Sequence, residues 1–137
     1  MEARTDPPPG ARDDAWSRLD AEAYCYLTTV GRRTGRPHEI EIWFALRGSA
    51  LYLLSGGGRR SDWVRNLLKT PEVMVRIGDR HFSGTARIVA DPDEDRAARD
   101  LLVAKYEPSY GGDLSGWRTR ALPVAIDLSA MERGLTP

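Results

Sequence analysis

Three arginines fall within five positions in Arg32-Arg33-Thr34-Gly35-Arg36. Guanidinium groups this close repel one another unless an anion or acidic side chains stand nearby. Forked guanidinium donors beside turn amides are the chemistry of phosphate recognition. A solvated surface turn is the competing account. A second candidate is Ser55-Gly56-Gly57-Gly58-Arg59-Arg60-Ser61. Its glycines let backbone approach a ligand closely, and the helix expected after Ser61 presents free amides to an anion. The spacing and the Lys-Ser/Thr ending of a nucleotide-triphosphate loop are absent, and a flexible connector explains the run equally well. Trp43 and Trp63 offer planar faces for a ring, although Trp63 falls on an apolar helical stripe and reads as core. Tyr106 and Tyr110 adjoin a glycine-bearing stretch over residues 107–117, which fits either a substrate mouth or a surface crossover. Glu39 and Glu41 are two apart on one face of a strand, where pairing with the arginines across a hairpin is the simple account.

Other chemistries lack their residues. The two histidines, His38 and His81, stand in no metal-ligand spacing and form no triad with a nucleophile. The single cysteine, Cys25, sits in the apolar run Tyr24-Cys25-Tyr26-Leu27 and reads as a small buried hydrophobe. Lys+Arg and Asp+Glu each total 20, giving a formal net charge of zero, which argues against a nucleic-acid partner. No apolar run approaches the ~18 residues of a membrane span, and the start lacks an apolar signal region. A cytoplasmic protein is expected.

The elements that position these residues can be read from periodicity. At 137 residues, 41% hydrophobic, one core is expected. Residues 1–12, with Pro7-Pro8-Pro9-Gly10, read as a flexible tail, and residues 13–137 as the domain. Asp13 or Asp14 caps a short helix to about Ala23, and residues 24–30 form a strand. Ile40, Ile42, Phe44 and Leu46 alternate with polar neighbours in one continuous strand, and residues 50–54 return after the Arg47-Gly48-Ser49 turn. Ser61 is placed to cap a helix to about Lys69 with Trp63, Val64, Leu67 and Leu68 as its stripe. Strands around Val73–Ile77 and Phe82–Ile88 follow. Asp91-Pro92-Asp93-Glu94 opens a helix in which Glu94 completes a capping box. Residues 107–117 read as a loop, and residues 122–128 as the last strand. Hairpin-connected strands with few helices predict an α+β, mainly β fold: a six-stranded antiparallel barrel with about three flanking helices.

Three segments together resemble a known family. Leu27-Thr28-Thr29-Val30-Gly31-Arg32-Arg33-Thr34-Gly35-Arg36-Pro37, then Trp43-Phe44-Ala45-Leu46 with Tyr52-Leu53-Leu54-Ser55, and Asp62-Trp63-Val64-Arg65-Asn66-Leu67 are similar to the deazaflavin-dependent nitroreductases and quinone reductases. The match spans residues 24–89 in the family's order. The resemblance implies a dimeric split β-barrel of the pyridoxamine-phosphate-oxidase type. It also implies hydride transfer from reduced coenzyme F420 to a small acceptor such as a quinone or nitroaromatic. By position, Arg32, Arg33 and Thr34 hold the cofactor phosphate, with Arg36 and His38 on the same turn. Glu41, Ile42 and Trp43 border the ring, Ser55, Gly56 and Gly57 pass close to it, and Trp63 and Asn66 complete the pocket. Arg59 and Arg60 extend the positive track. The hydride comes from the cofactor, so a hydroxyl of Ser55, Tyr106 or Tyr110 has only to stabilise charge developing on the acceptor. The chain departs from the family pattern in its shortened Gly58-Arg59-Arg60-Ser61, in His38 after the proline, and in Glu41 where proline is common. An FMN oxidoreductase of the same barrel, or a non-catalytic pocket protein for a cofactor, haem or lipid, are the alternatives.

Overall fold

The computed structural model describes residues 16–131. The expected tail over residues 1–12 and the Asp13 or Asp14 cap lie outside the described residues. Within them are seven strands and four α-helices. Among the described residues helix α1 covers residues 16–20, ending before Ala23, where the periodicity predicts its end. Strands β1 (Cys25–Val30), β2 (Pro37–Ile42), β3 (Ala45–Arg47) and β4 (Ala50–Ser55) come next. A 3₁₀ turn at Gly58–Arg60 leads into α2 (Asp62–Lys69). Then come β5 (Glu72–Ile77), β6 (Arg80–Ile88), α3 (Pro92–Tyr110), α4 (Ser115–Arg120) and β7 (Leu122–Met131).

All strands pair antiparallel in one sheet of order β2-β1-β5-β6-β7-β4-β3. The edge strands β2 and β3 are consecutive in the chain, separated only by Trp43 and Phe44. One covalent corner therefore spans the gap between the sheet's two edges, and the sheet curls into a split barrel. This corner corrects the expected count of six strands. The alternating run from Ile40 to Leu46 keeps its apolar pattern, but the chain leaves one edge and joins the other in mid-run.

The core has two parts. Cys25, Leu27, Leu51, Leu53, Val75, Val124 and Ile126 fill the barrel interior, closed by Val64 and Leu67 of α2. Leu68, expected on that stripe, is exposed. Behind the β4–β7 pair, Tyr52, Leu54 and Ala125 meet Ala98, Leu102 and Tyr106 of α3 and Leu114 of the α3–α4 segment. Every residue of β4 is consequently buried.

Two further corrections concern helices. The segment 107–117 is not a loop throughout. Helix α3 runs past Pro108 to Tyr110, ends at Gly111 in the left-handed conformation (φ 80°), and α4 starts at Ser115. The apolar pair Leu114 and Trp117, three apart, packs onto α3 and outweighs the local glycines. Asp91 does cap α3, its side chain accepting from the Glu94 amide at 2.9 Å. The Glu94 carboxylate, however, completes no capping box. It accepts two bonds from Arg87 at 2.8 Å each and one from the Tyr52 hydroxyl at 2.7 Å. Arg87 also donates to Asp127 at 2.6 Å, so one guanidinium joins β6, β7 and α3, while Tyr52 brings in β4.

Arg87 first, then Tyr52, lowers the Glu94 carboxyl from 4.5 to about 2. A carboxyl depressed in the folded state stabilises above its unfolded value, and that stability is lost as pH falls toward the folded value. We expect Glu94→Gln to cost about 1.5–3 kcal/mol near neutral pH, the range for hydrogen bonds to charged groups. Urea unfolding at stepped pH should show the gap to wild type closing between about pH 5 and pH 2.5. A gap independent of pH would remove Glu94 from the acid response.

Candidate functional site

The turn between β1 and β2 is built by its own backbone. The Gly31 amide donates to the Arg36 carbonyl at 2.7 Å and the Gly35 amide to the Gly31 carbonyl at 2.8 Å. The Arg36 amide donates to Thr34 Oγ1 at 3.1 Å, which leaves the Thr34 hydroxyl proton free to point outward. The amides of Arg33 and Thr34 have no acceptor among the described residues. A β-carbon at Gly31 would stand 2.6 Å from His38 Nε2, so glycine there lets the His38 ring lie across the turn.

Asn66 fastens this turn to α2. It is 5% exposed, and its Oδ1 accepts from the Arg32 amide at 3.1 Å and from Arg32 Nη1 at 3.0 Å. Its Nδ2 donates to Thr29 Oγ1 at 3.1 Å. Arg32 Nη2 reaches Asp62 at 3.1 Å, and Lys69 Nζ donates to the Arg32 carbonyl at 2.9 Å. Arg32 is thus spent on internal partners. Arg33 and Arg36 are exposed and form no ion pair among the described residues. The turn borders a cavity of about 380 Å³ whose lining includes Thr29, Arg33, Thr34, His38, Trp63 and Asn66.

The Gly56–Arg60 segment opens on a different cavity of about 640 Å³, where Arg99 and Arg120 also stand. Arg99 is tied to Asp95 at 2.5 Å. Asp62, the acid nearest in sequence to Arg59 and Arg60, is taken by Arg32. Ser55 is buried, its Oγ donating to the Gly58 carbonyl at 2.9 Å and lying 2.8 Å from Ser61 Oγ. Ser61 holds the N-cap position of α2, but its hydroxyl faces Ser55 instead of the helix amides.

Glu41, Ile42 and Trp43 line a third cavity of about 400 Å³, completed by Tyr24, Leu54, Tyr110, Leu114 and Trp117. Trp43 stacks flat on Tyr106, ring centroids 4.2 Å apart at 2°. Trp117 and Tyr110 meet it edge-on at 5.5 and 6.0 Å. The Tyr106 hydroxyl is committed to backbone. It accepts from the Phe44 amide at 3.0 Å, with the Ala23 carbonyl at 2.8 Å and the Phe44 carbonyl at 3.1 Å for its proton. Burial above all pushes its pKa upward. Tyr110 is 54% exposed and borders both this cavity and a larger one of about 820 Å³ on the far side of Trp43. Lys105 sits in that larger cavity, its pKa lowered by burial, donating to the Phe44 carbonyl at 2.9 Å.

The structure therefore gathers the predicted residues into three places: Arg32, Arg33, Thr34, His38, Trp63 and Asn66; Glu41, Ile42, Trp43 and Tyr110; and Gly56, Gly57, Arg59 and Arg60. Arg36 stands on the first turn without lining its cavity, and Ser55 and Tyr106 lie beneath the surface. Sequence reasoning missed Tyr24, Leu54, Leu114 and Trp117. Their signal was the three-residue spacing of Leu114 and Trp117, hidden among Gly111, Gly112 and Gly116.

The split barrel is the fold of the pyridoxamine-phosphate-oxidase type; in this chain a cationic turn lies at one end of an edge strand and an aromatic cavity at the other. A family profile described as F420H(2)-dependent quinone reductase matches residues 14–129. An F420H(2)-dependent quinone reductase of Mycobacterium tuberculosis is 28% identical over 103 residues, covering 73% of this chain and 69% of that one. A solved F420-H2 dependent reductase superposes with a TM-score of 0.63 at 18% identity, covering 76% of this chain and 93% of its own. A domain-swapped dimer does so at 0.63 and 18%, covering 88% and 99%. The chain belongs to the F420H(2)-dependent quinone reductase family; it is an oxidoreductase, and its cofactor is coenzyme F420.

Replacing Asn66 with alanine orphans Thr29 Oγ1 and the Arg32 amide at once. We expect a loss of about 2–3 kcal/mol in urea unfolding, together with faster hydrogen exchange at the Arg32–Thr34 amides. Unchanged exchange would show that the turn holds its shape without α2.

Proposed function

We propose that the phosphate end of reduced F420 rests on the turn at Arg33 and Thr34, and that its ring lies toward Glu41, Ile42 and Trp43. The acceptor, a quinone or similar small ring, is held against the aromatic cavity. The observation carrying this reading is that β2 joins the two places. From Ile40, in the first cavity, to Trp43, in the second, is roughly 10 Å of extended chain.

The turn fits a phosphate on its own chemistry. Two amides, the Thr34 hydroxyl and the Arg33 guanidinium all donate outward with no protein acceptor among the described residues. Arg32 acts differently from the expectation of direct contact: pinned by Asp62 and Asn66, it orients the turn. Trp63 walls the same cavity. Arg59 and Arg60 line a separate cavity and serve as a further cationic station for the long anionic tail of F420, which FMN lacks. When bound, the reduced deazaflavin supplies the hydride. The residues of this chain orient ring and acceptor and exclude water around Trp43. Tyr110, the exposed tyrosine of the aromatic cavity, is better placed than Ser55 or Tyr106 to meet charge developing on the acceptor.

We further infer a homodimer. The outer face of β1, β5 and β6 carries Met74, 38% exposed, beside a groove of about 440 Å³ lined by Thr28, Val30 and Ser83. Association would cover this face. Trp43, by contrast, is packed on Tyr106. No helix among the described residues is long and apolar enough to cross a membrane. One buried free thiol and no disulfide suit a reducing cytoplasm.

Arg33→Ala should weaken F420 binding by about 1–3 kcal/mol, the range for a charge-assisted hydrogen bond. Wild type should prefer F420 over FMN, with affinity falling as salt rises because the cations are exposed. Calorimetric titration of both cofactors at low and high salt measures this; equal affinity of Arg33→Ala and wild type would take the turn out of the site. Sedimentation at micromolar concentration should show a dimer, and a wild-type monomer would leave the Met74 face without a partner copy.

A further inference from the structure

Glu41 is the one charged side chain lining the aromatic cavity among the described residues. Its carboxylate is held in place, since the Tyr26 hydroxyl opposite it on β1 donates to Oε2 at 2.7 Å. Arg76 makes no ion pair with it; that guanidinium lies over the Tyr26 ring, 4.1 Å from its centroid, and donates to the Gly78 carbonyl at 3.0 Å. Glu41 forms no ion pair among the described residues. Around it stand Trp43, fixed by Tyr106, and Trp117 and Tyr110 at right angles to Trp43. Aromatic rings lining one cavity with a carboxylate attract a cation through the ring quadrupoles and the charge together. The Glu41 side chain is exposed, so its repulsion of a second anion acts partly through solvent and weakens as salt rises.

The committed hydroxyls point the same way. A neutral quinone must gain a hydride and a proton; Ser55 and Tyr106 spend their protons on protein partners, which leaves Tyr110 alone among the three candidate hydroxyls to meet that need. A cationic ring needs only the hydride. It takes two electrons and one hydrogen into a new C–H bond and becomes neutral, while the proton that reduced F420 also gives up passes to water.

We propose that this cavity selects planar cationic aromatic acceptors over anionic rings of the same shape, with Glu41 and Trp117 as specificity-determining residues. The proposal rests on the reading of the enzyme as an F420H(2)-dependent reductase. N-methylacridinium and acridine-9-carboxylate are the probes, a cation and an anion on one ring system. Calorimetric titration without cofactor should show the cation binding wild type at least about tenfold more tightly than the anion. Glu41→Gln keeps a hydrogen-bond acceptor for Tyr26 and should weaken the cation about tenfold while strengthening the anion. Trp117→Leu should weaken both. In turnover with F420H(2), Glu41→Gln should lower the ratio of kcat/KM for N-methylacridinium to kcat/KM for menadione, a neutral quinone, about tenfold. Equal wild-type affinity for the two probes, or an unchanged cation affinity in Glu41→Gln, overturns the proposal. Cation selectivity in the titration with no F420H(2) oxidation by any acceptor would support the cage and sink the reductase reading. Oxidation of F420H(2) by menadione without cation selectivity would do the reverse.

Discussion

Asn66 is the group on which the site's geometry turns. A buried primary amide is costly unless its donors and acceptor find partners, and here the oxygen and one amide proton find them on two other elements. Thr29 belongs to β1, Arg32 to the turn, and Asn66 to α2. One side chain therefore fixes where the strand ends, how the turn leaves it, and how the helix lies across both. The consequence is a division of labour among arginines that look alike in sequence. Arg32 is drawn inward, neutralised by Asp62, and made part of the scaffold. Arg33 and Arg36 stay outward with their charge uncancelled. A turn of three equivalent cations would repel itself; tying one of them down relieves that and leaves the rest for a ligand.

The second constraint is the split in the barrel. An edge strand exposes unpaired backbone groups, and the corner at Trp43 and Phe44 exposes more, since neither residue belongs to a strand. Helix α3 answers this. The Phe44 amide is met by the Tyr106 hydroxyl and its carbonyl by Lys105 Nζ. Lys105 gives up solvation to do so, and its ammonium rests over the Phe44 ring at 3.6 Å. The same contact stacks Tyr106 on Trp43. What holds the barrel closed also plants an indole face beside the edge strand, so the aromatic cavity follows from how the corner is sealed.

Much of this was legible in the sequence where one principle acted alone. The alternation of β5, β6 and β7, the Gly48 and Gly78 turns and the Asp91-Pro92 start of α3 depend on local geometry and stand where the pattern places them. The cationic turn was legible too, because like charges packed closely need a reason. Failures came where tertiary contacts decide between local options. Nothing in Ile40–Leu46 says that the chain changes edges in mid-run, because Ile40, Ile42, Phe44 and Leu46 all pack into the same core on either side of the corner. The glycines of 107–117 speak for a loop, and only α3 lying beneath Leu114 and Trp117 makes a helix there worthwhile. Ser61 and Glu94 have the right types and positions for capping, but each found a stronger partner across the fold. Sequence can name a residue able to make a contact without knowing what else will compete for it.

Competition of this kind also limits the chemistry. A hydroxyl that donates to a carbonyl in the folded protein cannot stabilise a developing charge without breaking that bond, which costs about 1 kcal/mol and more when the carbonyl is buried. Ser55 holds the Gly58 carbonyl and Tyr106 holds the corner, so each would have to loosen the very segment it builds. Tyr110 carries no such obligation, being half exposed at the end of α3. On the proposed reading the protein's share of the reaction is weighted toward position: a pinned turn, a stacked indole, a carboxylate bonded to its neighbour across the ladder. For a reaction whose electrons arrive with the cofactor, such rigidity is the larger contribution, because holding two rings in register removes motion that would otherwise be lost at the moment of transfer.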